Sequence, residues 1–249
     1  MNFIVYAPSW TYRSGGTRAL HNLCHRLNVM GENAYVHPAS VVDLRLQTPP
    51  LGPRGTDWIS DPICCVYPEV VRGNPFNADL SVRWLLNAPG RANADTTDSW
   101  GADDLIFHWA ASFKRGESEL LSLPVIDKAI FNNKDNEADR HRHGSFVYSQ
   151  KAFTAGEPVP TNLGLNLADY IIQPEMLAQL LRCTKTLYLC EESMIALEAD
   201  LCGCRVEYVE SDFLPRPPGP WIEHSDLEAR QMVQNMIDAC YRRKDGNLA

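Results

Sequence analysis

The opening of the chain constrains its fold more than any other segment. An apolar run rich in β-formers, "NFIVYAP" (residues 2–8), is followed by the loop "SWTYRSGG" and then by "TRALHNLCHRLNVMGE". In this third stretch Gly31 supplies a stop, and apolar residues recur at helical spacing: Ala19, Leu20, Leu23, Leu27 and Met30. Because "NAYVHP" has the pattern of a second strand, the sequence predicts a strand–helix–strand unit of the kind that builds parallel sheets.

The rest of the chain repeats this alternation in two blocks. In the first block, "PICCVYPE" (residues 62–69) and "DDLIFHWAASF" (103–113) are predicted strands, and "DLSVRWLLN" is either a helix or a strand. The second block offers the strands "SFVYSQ", "TLYLC" and "RVEYV" and the helix "PEMLAQLLRCT". A final amphipathic helix carries Leu227, Met232, Met236 and Ile237, with Ser225 placed to cap it.

A polar stretch at residues 132–144 separates the two blocks and marks a domain boundary. We therefore predict an α/β protein with two Rossmann-like domains facing a central cleft. The division is 1–131 for the first domain, 132–144 for a linker and 145–249 for the second domain, with the terminal helix counted in the second. Ligands of such sheets bind beyond the carboxyl ends of the strands, where loops run into helices.

Composition narrows the class of protein. The 249 residues are 45% hydrophobic, which suits a globular core, and the net charge of −8 gives no general attraction to polyanions. No window approaches the roughly 20 apolar residues of a membrane span, and the N-terminus lacks a basic leader, so we expect a soluble cytoplasmic protein. Eight cysteines form no CxxC pair, which favours buried reduced thiols over disulfides or zinc.

Two glutamates between the strands "TLYLC" and "RVEYV" form the main candidate site. Glu191 and Glu198 lie seven positions apart, and on a helix starting near residue 192 they would project to nearly the same side. The N–H groups of Ser193 and Met194 at the helix start favour a phosphate. A ligand with a central diphosphate and hydroxyls at both ends, a nucleotide sugar, fits this layout. Glutamates that answer the helix dipole or line a solvated face fit the same spacing.

The stretch "EESMIALEADLCGCRV" resembles the C-terminal E-x7-E signature of GT-B-fold glycosyltransferases of the retaining, group 1-like kind. The segment "SGGTRALHNLCHRL" resembles the glycine loop and first helix of that family. The block "VYPEVVRGNPFNADLSVRWLLNAPG" is similar to bacterial members that act on polysaccharides, and "GSFVYSQK" is similar to the start of the donor domain. The resemblance touches most of the chain in patches.

The resemblance implies a role for each matched residue on the donor side. Glu191 would contact the donor sugar and Glu198 the ribose hydroxyls. Ser193 and Met194 would bind the diphosphate through their backbone N–H groups, and Lys151 would neutralise its charge.

On the other side of the expected cleft, Gly15 and Gly16 would let the first loop approach the donor phosphate or the acceptor closely. Arg72 would add positive charge near the leaving group, and Glu69 would contact substrate. Glu69 and Arg72 could equally form an ion pair with each other on their loop.

Other candidates have plainer interpretations. Tyr67 and Trp84 could stack on a sugar ring, but aromatics in apolar company favour the core. His21 and His25, one helical turn apart, could bind a metal, although a partly exposed pair with no role is favoured. His108 could be a catalytic base, and a hydrogen-bonded strand histidine is the favoured alternative.

The sequence thus predicts a glycosyltransferase that moves a sugar from a nucleotide-diphosphate donor, such as a UDP-sugar, to a hydroxyl acceptor. The resemblance implies retention of configuration and no metal or other cofactor. The acceptor is a saccharide or a hydroxymethylated DNA base. The alternatives are a nucleotide-sugar-binding protein without transfer activity and a nucleotide-sugar epimerase of the same fold.

Overall fold

A computed structural model of the chain describes residues 1–246 except 54, 58, 60–61, 91–93, 135, 137–140, 155, 171 and 211–223. The chain forms two compact units, the first from residues 1–125 and 222–249 and the second from residues 126–221. Each unit contains a sheet whose strand pairs are all parallel. The predicted α/β class is therefore confirmed.

The described part of the first unit contains six strands. They are β1 (Asn2–Ala7), β2 (Asn33–Pro38), β3 (Ile63–Pro68), β4 (Leu80–Leu85), β5 (Leu105–His108) and β6 (Glu119–Leu120), and their order in the sheet is β2-β1-β3-β4-β5-β6. Every residue of β4 is buried, and β4 lies between β3 and β5 in the sheet. The segment that the sequence left open between helix and strand is thus an inner strand.

The helix α1 (Gly15–Val29) connects β1 to β2 as the opening pattern predicts. The Ser14 side chain caps it by accepting a hydrogen bond from the Thr17 N–H at 3.1 Å. Leu23 and Leu27 are fully buried. Burying a leucine side chain stabilises a fold by about 1.5–3 kcal/mol, so this apolar stripe fixes α1 against the sheet.

The terminal helix α5 (Asp226–Lys244) belongs to the first unit. Cys240 places its Sγ 3.7 Å from Sγ of Cys64 in β3, and the Tyr241 hydroxyl lies 2.6 Å from the Met1 amino group. The assignment of this helix to the second domain is therefore wrong. Its apolar face packs against the first sheet, a contact that its position in the chain does not reveal.

The start of α5 agrees with the sequence in one respect and differs in another. Ser225 and Glu228 form a capping box, in which the Ser225 side chain accepts from the Glu228 N–H and the Glu228 side chain accepts from the Ser225 N–H. Leu227, however, is 78% exposed and lies off the buried face.

In its described residues, the second unit contains four strands and three α-helices. They are β7 (His143–Tyr148), α2 (Lys151–Thr154), β8 (Leu165–Asn166), α3 (Pro174–Cys183), β9 (Thr184–Leu189), α4 (Ile195–Leu201) and β10 (Arg205–Tyr208). The strand order is β10-β9-β7-β8. The predicted second block of alternating strands and helices is therefore present.

Two arginines attach the segment before β7 to the second unit. Arg182 donates to the backbone carbonyls of Ile130 and Asn132, and Arg142 donates to the Asn133 side chain. The second unit accordingly begins at Ile126 rather than beyond the predicted linker at 132–144. Residues 135 and 137–140 of that linker lie outside the described residues.

All eight cysteines are free thiols, and all except Cys183 are buried. Burial raises the pKa of Cys24 and Cys65 to about 12. The expectation of buried thiols is confirmed for these seven positions.

Candidate functional site

The sheet of the second unit has a topological switch point between β7 and β9. From β7 the chain crosses to β8 on one side and later to β9 on the other, so β7 and β9 are neighbours. Open parallel sheets bind ligands beyond the carboxyl ends of such a strand pair. At that edge β7 leads into residues 149–151 and β9 into residues 190–193.

Glu191 lies at this edge and is fully buried. Its Oε2 accepts a hydrogen bond from the Gln150 N–H at 2.8 Å and another from the Lys151 N–H. The carboxylate therefore ties the end of β9 to the start of α2. Through these hydrogen bonds Glu191 orders the turn. Because Glu191 has no exposed surface, it cannot contact a sugar directly in this arrangement, although the resemblance implies that it would.

Lys151 is the first residue of α2 and is partly buried. Its Nζ donates to the backbone carbonyl of Glu192 at 3.2 Å. Its ammonium group therefore lies over the turn that leads from β9 to α4. The structure thus brings the Lys151 backbone and the Glu191 carboxylate together.

Ser193 and Met194 lie in the turn that precedes α4 and are partly buried. Their carbonyls accept from Ala196 and Leu197 at 3.1 Å, and the helix begins only at Ile195. The predicted helix start near residue 192 is therefore wrong by about one turn. With seven residues, α4 is also a short helix.

This later start changes the relation between the two glutamates. Glu198 lies inside α4 and is 3% exposed, whereas Glu191 lies outside the helix. Two residues seven positions apart lie on one helical face only when both belong to the helix. Because Glu191 precedes α4, the helix does not place the two carboxylates on the same side. Six residues separate the pair in this chain, one fewer than in the signature it resembles.

Cys190 adjoins Glu191 but is not a reactive thiol. Burial raises the pKa of Cys190, and the nearby Glu191 carboxylate adds to that shift. The thiol therefore stays protonated near neutral pH.

In the first unit, two of the predicted residues meet around Leu86. Glu69, one residue beyond β3, accepts from the Leu86 N–H at 3.0 Å and is 9% exposed. Gly15 and Gly16 form the first turn of α1, and a Cβ on Gly16 would lie 3.6 Å from Leu86 Cδ1. That is an ordinary contact distance, so the protein itself has room for a Cβ at Gly16.

Arg18 in the first turn of α1 is a residue that the sequence reasoning missed. It is 3% exposed, and its guanidinium lies 4.5 Å from the centroid of the Tyr12 ring. A cation in the first turn opposes the helix dipole, and this conflict is the one local sign that could have drawn attention to it.

Arg72 forms a surface ion pair with Asp98 at 2.8 Å, and the side chains are 59% and 69% exposed. Its ion-pair partner is therefore Asp98, and the proposed Arg72–Glu69 pair is not seen. The guanidinium lies at the surface of the first unit.

Arg83 fixes the segment that carries Arg72 by hydrogen bonds to its backbone. This buried side chain pairs with Asp104 at 2.6 Å and donates to the carbonyls of Val71 and Gly73. Arg83 also stacks near the Tyr67 ring at 4.9 Å. This network was not predicted from the sequence, because arginine is rarely buried.

Each histidine candidate has a hydrogen-bonding partner within the first unit. The His21 ring is buried with Nε2 2.9 Å from the Pro8 carbonyl, and the Gln47 N–H donates to Nδ1 of His25 at 3.0 Å. Nδ1 of His108 lies 3.0 Å from the Ser118 hydroxyl. Burial lowers the pKa of His108, and the charge of Lys114 lowers it further. These contacts support the hydrogen-bonded interpretation of His108, while His21 is more buried than expected.

Tyr67 and Trp84 are fully buried, which supports their assignment to the core. Among the described residues, no cluster of histidine, cysteine, aspartate or glutamate has the arrangement of a metal site. In the same part of the chain, no helix combines the length and hydropathy needed to cross a bilayer.

No protein-family model, curated protein or solved structure matches this chain.

Proposed function

We propose that this protein is a glycosyltransferase that uses a nucleotide-diphosphate sugar and transfers the sugar to a hydroxyl acceptor. One observation carries the proposal. At the switch point of the second sheet, a lysine ammonium group lies over the turn between β9 and α4, and a buried glutamate fixes the lysine backbone. This is the edge where open parallel sheets bind nucleotides. The resemblance of residues 191–206 to a donor-binding signature points to the same turn.

The donor diphosphate is assigned to Lys151 and to the N–H groups of Ser193 and Met194. A lysine ammonium acts as a point charge toward phosphate, and backbone N–H groups at a turn add directed hydrogen bonds. Glu191 keeps the Lys151 backbone in place. Glu198 is assigned to the ribose hydroxyls, and because it is 3% exposed this contact requires local opening of the unit.

The proposed chemistry is transfer with retention and without a metal. In front-side attack the leaving diphosphate accepts the proton of the acceptor hydroxyl, so the protein contributes positioning and charge neutralisation. Lys151 neutralises charge on the leaving group. The proposal includes the GT-B-like arrangement expected from the sequence, with two Rossmann-like units facing a cleft, and it assigns Arg72, Glu69, Gly15 and Gly16 to the cleft.

The acceptor is a saccharide or a hydroxymethylated DNA base. The net charge of −8 favours the saccharide, since binding to DNA draws on positive charge. Transfer assays with oligosaccharides and with hydroxymethylcytosine DNA at several salt concentrations separate the two. Transfer to DNA that falls steeply with added salt would select the nucleic acid.

The burial of both glutamates favours a second candidate, a nucleotide-sugar-binding protein without transfer activity. Neither carboxylate is open to a sugar in this arrangement, with exposures of 0% and 3%. An epimerase is the remaining alternative from the sequence. Donor that stays unchanged indicates the binding protein, and a product isomeric with the donor sugar indicates the epimerase.

The test uses a panel of nucleotide sugars and free nucleoside diphosphates. The free energy of unfolding is measured with each ligand present, and transfer of labelled sugar to the acceptor is then measured with each nucleotide sugar. A donor present at 100 times its dissociation constant adds about 2.7 kcal/mol to the free energy of unfolding. We expect one nucleotide family to stabilise the protein and its sugar form to yield labelled acceptor. Absence of stabilisation by every member would contradict the proposal.

A further inference from the structure

The backbone just beyond the carboxyl end of β7 is hydrogen-bonded to side chains at the ends of both neighbouring strands, β8 and β9. Asn166, the last residue of β8, bonds to Ser149, and Glu191, just beyond β9, bonds to Gln150 and Lys151. The consecutive N–H groups of residues 149–151 thus donate to side chains rather than to a backbone ladder. The direction in which the chain runs from β7 to Lys151 depends on these hydrogen bonds to Asn166 and Glu191.

Asn166 makes its contact with Ser149 through both ends of its amide. Its Oδ1 accepts from the Ser149 N–H at 3.1 Å, and its Nδ2 donates to the Ser149 carbonyl at 3.1 Å. Asn166 is 6% exposed and Ser149 is 1% exposed. Because both groups are buried, loss of the amide would leave a donor and an acceptor without partners.

The same amide also fixes its own end of the contact. Oδ1 of Asn166 accepts from the Ala168 N–H at 3.2 Å, and Nδ2 lies 3.2 Å from Oδ1 of Asp169. An aspartate at this position would keep the acceptor and lose the donor, and its charge would face both the Ser149 carbonyl and Asp169. Position 166 therefore requires an amide, which neither a carboxylate nor an apolar side chain replaces.

We propose that Asn166 is a positioning residue for the Lys151 ammonium group. Asn166 bonds Ser149 to the end of β8, and Glu191 bonds Gln150 and Lys151 to the end of β9. Together the two side chains fix the position of the Lys151 backbone. This assignment rests on the proposed function, in which Lys151 binds the donor diphosphate. Asn166 itself contacts no substrate in this scheme.

The test compares Asn166→Ala and Asn166→Asp with the matched variant Asn133→Ala. Asn133 is an amide of the same unit that accepts from Arg142 and Asn136 at 2.8 Å, away from the Ser149 turn. Two quantities are measured on each folded protein: hydrogen exchange of the Gln150 and Lys151 amides without ligand, and the dissociation constants of uridine, adenosine, guanosine and cytidine diphosphate.

We expect both Asn166 variants to exchange the Gln150 and Lys151 amides at least about tenfold faster than wild type, and to bind the preferred diphosphate about tenfold more weakly. We expect Asn133→Ala to leave exchange at these two amides and the affinity unchanged, even where it lowers the melting temperature. A purely structural role of Asn166 would lower stability without this selective change.

The two proposals fail in different ways. If wild type binds none of the diphosphates, the proposed function is overturned, and the exchange of the two amides still decides whether Asn166 positions the turn. If wild type binds a diphosphate and the Asn166 variants match Asn133→Ala in both exchange and affinity, the positioning role is overturned.

Discussion

In each unit a buried glutamate just beyond the carboxyl end of a strand accepts a hydrogen bond from the main chain. The two glutamates differ in the charged residues that the structure places near them. Glu191 accepts from the N–H groups of Gln150 and Lys151, and the Lys151 ammonium group lies over the next turn. Glu69 accepts from the Leu86 N–H, and the nearby Arg72 pairs with Asp98 at the surface. In the second unit the glutamate thus fixes the backbone of a lysine whose ammonium group lies at the sheet edge, and we assign the diphosphate there.

The largest expected effect separates the two glutamates directly. Glu191→Ala removes the acceptor of two buried N–H groups and should lower the free energy of unfolding by about 3 kcal/mol. Glu69→Ala, at a slightly more exposed site, should lower it by about 1.5 kcal/mol. Chemical denaturation measures both, with amide exchange in β9 and in β4 reporting the unit affected.

Glu191→Gln and Glu69→Gln are the matched controls, since each keeps an oxygen acceptor of the same shape. We expect both to cost less than the alanine variants. Equal losses for Glu191→Ala and Glu69→Ala, or a larger loss for Glu69→Ala, would remove the distinction between the two glutamates.

Acid should affect the first unit through four buried or partly buried histidines. Burial lowers the pKa of His21, His25, His37 and His108 in the folded state. The unfolded chain, with histidine pKa near 6.5, then binds more protons than the folded one, so stability is present above about pH 6.5 and is lost as the pH falls below it.

Denaturation followed by amide exchange in β1 and β3 at successive pH values measures this loss. His21→Gln keeps a donor for the Pro8 carbonyl without a titrating ring, and we expect it to reduce the slope. Stability of the first unit that stays constant from pH 8 to pH 5.5 would refute the expectation.

A smaller effect tests the glycines at the start of α1. Gly16 lies in the helix with room for a Cβ, so Gly16→Ala should raise the free energy of unfolding by about 0.5–1 kcal/mol. If Gly16 also approaches a ligand, the same variant should weaken transfer while it stabilises the protein. A destabilised Gly16→Ala would mean that the helix start is more crowded than the structure shows.

The smallest expected effect concerns Arg72. Its ion pair with Asp98 is exposed, and such pairs contribute little, so Arg72→Ala should change stability by less than about 0.5 kcal/mol. Asp98→Ala is the matched control. A loss of transfer in Arg72→Ala that Asp98→Ala does not share would support the proposed catalytic role, and unchanged transfer in both would remove Arg72 from the site.

The sequence predicted those parts of the fold that depend on local pattern. Apolar spacing located α1, and Ser225 located the start of α5. Where α5 packs was not predictable, because an amphipathic helix shows that it has a buried face but not which sheet covers it. The inner strand β4 was ambiguous for a related reason, since burial on both sides removes the alternation that marks a strand.

Both Lys151 and Glu191 were candidates from the sequence, and they are neighbours because the carboxyl ends of adjacent parallel strands share an edge. Their roles in binding stay predictions. The helix after β9 starts at Ile195, and that shift of about one turn separates Glu191 from the helical face of Glu198. Asn166 was missed because its partner Ser149 is 17 positions away in the chain and becomes a neighbour only when β7 and β8 pair.

The central claim is that the Lys151 ammonium group binds a nucleoside diphosphate. Calorimetric titration of wild type, Lys151→Met and Lys185→Met tests it, because Lys185 is an exposed lysine on β9 of the same unit and Lys151→Met keeps the backbone N–H that Glu191 accepts from. The account predicts equal affinity for wild type and Lys185→Met and at least about tenfold weaker binding for Lys151→Met. Equal affinity in all three proteins, or no binding by wild type, would contradict it.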